Sequence, residues 1–261
     1  MLADYHVHTS FSPDSNYPMQ NCIEQAISIG INEMCFTEHI DYGCENSFCC
    51  NCEEYYRAFL KFKELYKGRI NLKFGMEFGM QAHHKNYFQK IFNSYPFDFI
   101  LMSFHQVEDK ELWNQDFQNG KSQDEYYRIY FEEMLNSAKV FTDFSVLAHM
   151  DLLKRYEQYE DYPFEKIKPI LEEIFNYIIP LGKGIELNTS SFRYGLSDLT
   201  PSTDILKFYR ELGGEVITIG SDSHAQRHLG SNIMYCREIL KSLGYKYFNT
   251  FDRMKPVFNK L

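Results

Sequence analysis

The sequence predicts an α/β chain folded as a single seven-stranded (β/α) barrel, and three observations carry that reading. Short apolar runs alternate with longer amphipathic stretches along all 261 residues. No Gly/Ser-rich or Pro-rich linker divides them, so one domain spans residues 1–261. Nearly every apolar run stops at a residue able to bind a metal ion, and a parallel barrel gathers such run ends at one rim.

The apolar runs cover residues 2–8, 33–39, 70–77, 97–105, 144–149, 184–188 and 215–220. Each is short enough for a strand, and none approaches the length needed to cross a bilayer. Helical periodicity appears between them, over 19–29, 55–66, 123–139, 165–179 and 202–212, with a shorter helix over 84–92. Strands alternating with helices predict a parallel sheet with helices outside it. Residues 108–119 read as a loop, and the tail after Leu229 as one further helix.

Composition narrows the function classes. Aromatic residues make up 17% of the chain, enough for a large packed core and against disorder. A formal net charge of -9 speaks against binding nucleic acid through its phosphates. The N-terminus shows no basic segment leading into an apolar stretch and small-residue cleavage site, which together with the absence of a membrane span points to the cytoplasm. Seven cysteines suit a reducing compartment. Four of them crowd together as Cys44, Cys49, Cys50 and Cys52, but only Cys49 and Cys52 have the Cys-x-x-Cys spacing. A structural zinc requires a closed set of four ligands, so this stretch reads as a loop of free thiols.

The chemistry lies at the run ends. His6 and His8 are two residues apart, and such residues in a strand point to the same side. Asp222 and His224 repeat the spacing after the last run, and closure of a barrel would bring the two pairs face to face. Glu77 ends a run flanked by Gly75 and Gly79, where one carboxylate could bridge two cations. His39, His105 and His149 close three other runs. One such histidine alone would more often be a satisfied core residue; this many require a common cause, and a metal cluster supplies it. His83 and His84 fall at a helix start and read as solvated, while His228 suits either the surface or a supporting position. Arg155 and Arg193 follow strands, where a guanidinium could fork onto phosphate oxygens.

Four segments taken in order resemble the motifs of the polymerase-and-histidinol-phosphatase (PHP) superfamily. They are Asp4-Tyr5-His6-Val7-His8-Thr9-Ser10-Phe11-Ser12-Pro13-Asp14, Phe36-Thr37-Glu38-His39-Ile40-Asp41, Gly75-Met76-Glu77 and Gly220-Ser221-Asp222-Ser223-His224. Within the superfamily the chain is most similar to the monofunctional histidinol-phosphatases. The resemblance implies a distorted, TIM-barrel-like fold with a trinuclear site. Carried over by position, His6, His8, Glu77 and Asp222 would hold one ion. Glu77 would bridge to a second ion on His105 and His149, and Asp14, His39 and His224 would hold the third. Some relatives carry a histidine where this chain has Asp14; the carboxylate resembles the histidinol-phosphatase branch.

Three divalent ions are therefore expected, with zinc, iron and manganese all compatible with imidazole and carboxylate ligands. A bridging water would be acidified enough to attack phosphorus as hydroxide. The expected substrate is a small phosphomonoester, with L-histidinol phosphate the candidate that the resemblance implies. Rival phosphatase routes lack their motifs: no Cys is followed by Arg six residues on, and no Asp-x-Asp occurs. Another PHP-type hydrolase, acting on a nucleotide, a phosphotyrosine protein or a nucleic-acid end, is the alternative. A non-catalytic metal-binding module is disfavoured by the intact ligand set. Oligomeric state leaves no mark in the sequence.

Overall fold

The computed structural model describes residues 1–43 and 50–261. The cysteine-rich stretch expected to be a loop of free thiols lies partly outside these residues; Cys22, Cys35, Cys50, Cys52 and Cys236 are free thiols.

The parallel strands are β1 (Ala3–Val7), β2 (Glu33–Phe36), β3 (His39–Asp41), β4 (Asn71–Gly79), β5 (Phe99–Ser103), β8 (Val146–Leu147), β9 (Gly184–Asn188) and β10 (Ile217–Gly220). They pair in the order β1-β2-β4-β5-β8-β9-β10, with β3 also on β4. The run expected over 33–39 is thus two strands in one place. Phe36 lies opposite Phe74 and His39 opposite Glu77, the same offset on both sides of the break. The break arises because the Thr37 amide turns back to the Val7 carbonyl at 2.9 Å. The Glu38 side chain meanwhile takes the Thr9 amide and the Thr9 and Ser12 hydroxyls.

The barrel closes just beyond β10. Val7 bridges to Ser223 in parallel, with the His8 amide 2.8 Å from the Ser223 carbonyl and the Ser223 amide 3.2 Å from that of His6. Buried Asp4 seals the same seam by accepting from the Ser221 and Gly230 amides at 2.9 and 3.0 Å. The result is a nearly closed seven-position parallel barrel, as expected.

Helices surround it: α1 (Met19–Ser28), α2 (Cys52–Leu65), α3 (Lys85–Ser94), α4 (Gln123–Val140), α5 (Phe164–Ile178), α7 (Thr203–Glu211) and α8 (Ile233–Ser242), with the single turn α6 (Ser191–Tyr194) after β9. Side-chain caps start α2, α4 and α7, with Asn51 accepting from the Glu54 amide on α2. Ser122 and Glu125 form a capping box on α4, and Ser202 caps α7. The 108–119 loop carries a small hairpin, β6 (Gln106–Val107) with β7 (Lys110–Glu111).

One element has no counterpart in the expected pattern. After α8 the chain forms an antiparallel hairpin, β11 (Tyr247–Asp252) and β12 (Lys255–Lys260), turning through Arg253 and Met254 with positive φ. It covers the end of the barrel opposite the strand C-termini. The Asn249 amide oxygen accepts from Ile217 at the start of β10, and Asp98, just before β5, accepts from Arg253 and Met254 amides. Tyr5 ties it to the barrel interior. Its hydroxyl accepts from the Phe251 amide at 2.8 Å and donates to Glu33, while its ring meets Phe99 edge-on at 5.1 Å.

Tyr5→Phe keeps the ring and strands these buried partners, which should cost about 1–3 kcal/mol. Urea unfolding with an unchanged m-value is the check; a midpoint matching the parent would show that the hydroxyl anchors nothing.

Candidate metal centre

Parallel pairing brings the run ends together. The register aligns His39 with Glu77 and Leu101, then Asp41 with Gly79 and Ser103, so side chains from three strands emerge at matching heights. His6 and His8 project together from the end of β1, and closure against Ser223 carries Asp222 and His224 beside them.

Glu77 lies at the centre and is buried. Its Oε2 faces His6 Nε2 at 3.2 Å and His8 Nε2 at 3.4 Å; Asp222 Oδ1 lies 3.8 and 3.7 Å from the same two nitrogens. Its Oε1 faces His149 Nε2 at 3.0 Å and His105 Nε2 at 3.3 Å. Asp14 reaches in from the first loop, 3.0 Å from His39 Nε2 and 3.1 Å from His224 Nε2. All nine residues expected as ligands therefore converge.

The donor set suits divalent ions. Zinc–imidazole and zinc–carboxylate bonds of about 2.0–2.2 Å put neighbouring ligand atoms a little over 3 Å apart, the spacing seen here. The buried Nε2 atoms of His6 and His8 and Nδ1 of His149 have no hydrogen-bond partner among the described residues. Buried polar atoms are seldom left so, and an ion supplies the missing partner for the Nε2 pair. His149 and Asp222 also hold positive φ values of 22° and 53°. Such backbone is costly for residues other than glycine and gathers at functional sites.

Sequence reasoning missed the carboxylates behind the ligands. Glu186 on β9 lies 2.6 Å from His6 Nδ1 and accepts from the His149 amide at 2.9 Å and from Asn188. Asp41 holds His39 Nδ1 at 3.1 Å and His105 Nδ1 at 2.9 Å. Ser12, itself bound to Glu38, meets His8 Nδ1 at 3.1 Å. A partner on Nδ1 leaves Nε2 free to ligate. Two signals were present: a Glu inside the apolar run 184–188, and an Asp at same-face spacing from His39.

Electrostatics divides the histidines. Burial opposes charge on His6, but Glu186, Glu77 and Asp222 outweigh it and raise its pKa well above the ordinary value. Against the same burial, Asp41 and Glu77 raise His105, and Asp14 and Asp41 raise His39 to about 10. His8 goes the other way, driven well below its ordinary value by burial and by His224. Burial pushes the Glu77 carboxyl up, yet the His6 and His105 charges hold it well below the usual range.

The cluster floors a cavity of about 1050 Å³ that Trp113, Tyr156, Arg155, Arg193 and His228 also line. Arg155 is mostly buried; its guanidinium lies 4.1 Å from the Tyr194 ring, donates to Ser190 at 2.6 Å and sits 3.4 Å from Asp222. Arg193 donates to the Ser221 and Asp222 carbonyls at 2.6 and 2.5 Å, bracing the strained Asp222 backbone. His83 and His84 stay outside, both paired with Asp109.

The carboxylates around His6, His39 and His105 raise their pKa and so favour the protonated imidazole, and a ligating nitrogen must give its proton up. Metal loading near pH 7 should therefore release protons, and affinity should fall as pH falls. Calorimetric titration with zinc in buffers of different ionisation enthalpy measures the release; a heat independent of buffer would contradict the assignment.

Residues 4–190 match the PHP domain family. A histidinol-phosphatase of Lactococcus lactis is 32% identical over 98% of this chain and 97% of its own length. A probable histidinol-phosphatase of Clostridium acetobutylicum is 31% identical over 99% of this chain and 96% of its own. A solved structure of the Lactococcus lactis histidinol phosphate phosphatase, complexed with zinc, L-histidinol and phosphate, superposes with a TM-score of 0.89 over 98% of both chains at 31% identity. With the family motif matched across most of its length and full-length relatives of the same fold, the chain belongs to the PHP domain family.

Proposed function

We propose that this chain is a metal-dependent phosphomonoesterase that hydrolyses L-histidinol phosphate to L-histidinol and phosphate, a step of histidine biosynthesis. One observation carries the reading: nine side chains able to ligate a metal converge at a cavity that two arginines also line. The similarity to a phosphatase whose crystal structure holds zinc, L-histidinol and phosphate supports the substrate. The cavity's volume suits a small molecule rather than a polymer. Among the described residues no helix is long and apolar enough to cross a membrane. A biosynthetic role of this kind is consistent with a cytoplasmic enzyme.

Three divalent ions would be held by His6, His8, Glu77 and Asp222; by Glu77, His105 and His149; and by Asp14, His39 and His224. Zinc, iron and manganese all fit these ligands. When bound, such ions acidify water and neutralise charge on phosphoryl oxygens. The protein's own part is to fix that chemistry in place. Glu186 and Asp41 set the imidazole orientations, and Glu38 holds the first loop through Thr9 and Ser12.

Arg155 and Arg193 are the phosphate partners. Arg155 lines the cavity beside the ligand cluster, where its guanidinium can meet a phosphoryl oxygen. The aromatic rings of Trp113 and Tyr156 wall the same cavity and leave room for a planar leaving group beside the phosphate.

Phosphate release from L-histidinol phosphate should exceed that from a panel of other phosphomonoesters by about tenfold or more in kcat/KM. Comparable turnover of the whole panel would sink the substrate assignment. Replacing Arg155 with Ala removes a charge-assisted hydrogen bond and should lower kcat/KM about 10–100-fold, with Lys recovering only part. Arg193→Ala should cost as much and also loosen Asp222, so it is read with metal content. Parent-like kinetics in both variants would exclude the arginines from phosphate binding.

A further inference from the structure

We propose that Asp41 is a positioning residue serving two ion sites at once, fixing the ligating tautomer of His39 for one and of His105 for the other. The inference rests on the metal centre described above and concerns a residue outside its nine ligands.

The geometry is that of a shared carboxylate. Asp41 Oδ1 lies 2.9 Å from His105 Nδ1, and Oδ2 lies 3.1 Å from His39 Nδ1. An ionised carboxylate only accepts hydrogen bonds, so both imidazoles must carry their proton on Nδ1. That leaves each Nε2 lone pair for an ion. His39 Nε2 faces Asp14, and His105 Nε2 faces Glu77. The two rings thus belong to different ligand groups, and one side chain sets both.

The sheet explains how Asp41 reaches both. Pairing of β3 with β4 puts Asp41 opposite Gly79, and Gly79 lies opposite Ser103 on β5, two residues before His105. A methyl group at Gly79 would stand 1.7 Å from Asp41 Oδ1 and 3.3 Å from His105 Nδ1. Gly79 has no unusual φ; what its missing side chain provides is the gap through which the carboxylate crosses from β3 to the end of β5. Asp41 and Gly79 therefore form one device, drawn from two strands.

Graded substitution separates this role from a merely structural one. In Asp41→Asn the amide offers one acceptor and one donor group, so only one histidine keeps its proton on Nδ1. The other must move its proton to Nε2 and lose its lone pair for the ion. In Asp41→Ala neither ring is fixed. Zinc retained per chain is measured after equilibration against chelators of graded strength, together with histidine ¹⁵N spectra that report the tautomer. We expect Asp41→Asn to weaken one ion by about 10–100-fold and Asp41→Ala to weaken two, with the ion on His6, His8 and Asp222 retained in both.

Circular dichroism and the unfolding midpoint establish that each variant is folded. Should Asp41→Ala fail to fold, Gly79→Ala, which expels the carboxylate without removing it, is read in its place and should weaken the same two ions. Parent-like zinc retention and tautomers in the folded variants overturn the proposal while leaving the metal centre standing. A parent chain that retains no zinc overturns both.

Discussion

Glu77 sets the terms for the rest of the molecule. A carboxylate buried in a barrel is expensive unless opposite charge surrounds it. Here four imidazole nitrogens do so, two at each oxygen, and Ser103 donates to Oε1 as well. Three of these imidazoles, His6, His105 and His8, have the far nitrogen held in turn by Glu186, Asp41 and Ser12. The polar content of the barrel's upper layer can be traced outward from this one side chain. The lower layer has no such demand, and there Tyr5, Phe99 and Phe251 pack ring against ring.

The same constraint explains why backbone strain appears where it does. Asp222 must face His6 and His8 across the closing seam, and its positive φ is held by Arg193 on its own carbonyl and by Asp4 on the preceding residue. Arg193 thus supports the metal floor while it lines the cavity above. Two tasks on one side chain mean that its substitution has no purely local effect.

The barrel and eight of the nine candidate ligands were legible in the sequence because they sit on its strongest signal, at or beside the end of an apolar run. Asp14 was legible only by resemblance, since a Pro-Asp-Ser turn looks like any other loop, and its partners come from residues 25 and 210 positions away. Glu186 and Asp41 escaped notice because their partners are remote in sequence: Glu186 acts on His6 and His149, Asp41 on His105. The division of 33–39 into two strands was hidden for a similar reason, being imposed by Val7 and the Thr9–Ser12 loop. The terminal hairpin was masked by chemistry. Its residues alternate only loosely, and its turn uses Arg253 and Met254 where Asn-Gly would have announced it.

Closure by Val7 and Ser223 also governs when the site can exist during synthesis. Its ligands enter the world in order from residue 6 to residue 224, and the first metal pocket needs both His6 and Asp222. A ribosome therefore releases nearly the whole barrel before that pocket can be complete. Until then the emerging histidines are loose, solvated chelators with no fixed stereochemistry. The set formed by His6, His8, Glu77 and Asp222 is accordingly assembled only late in folding, after the first and last strands have met.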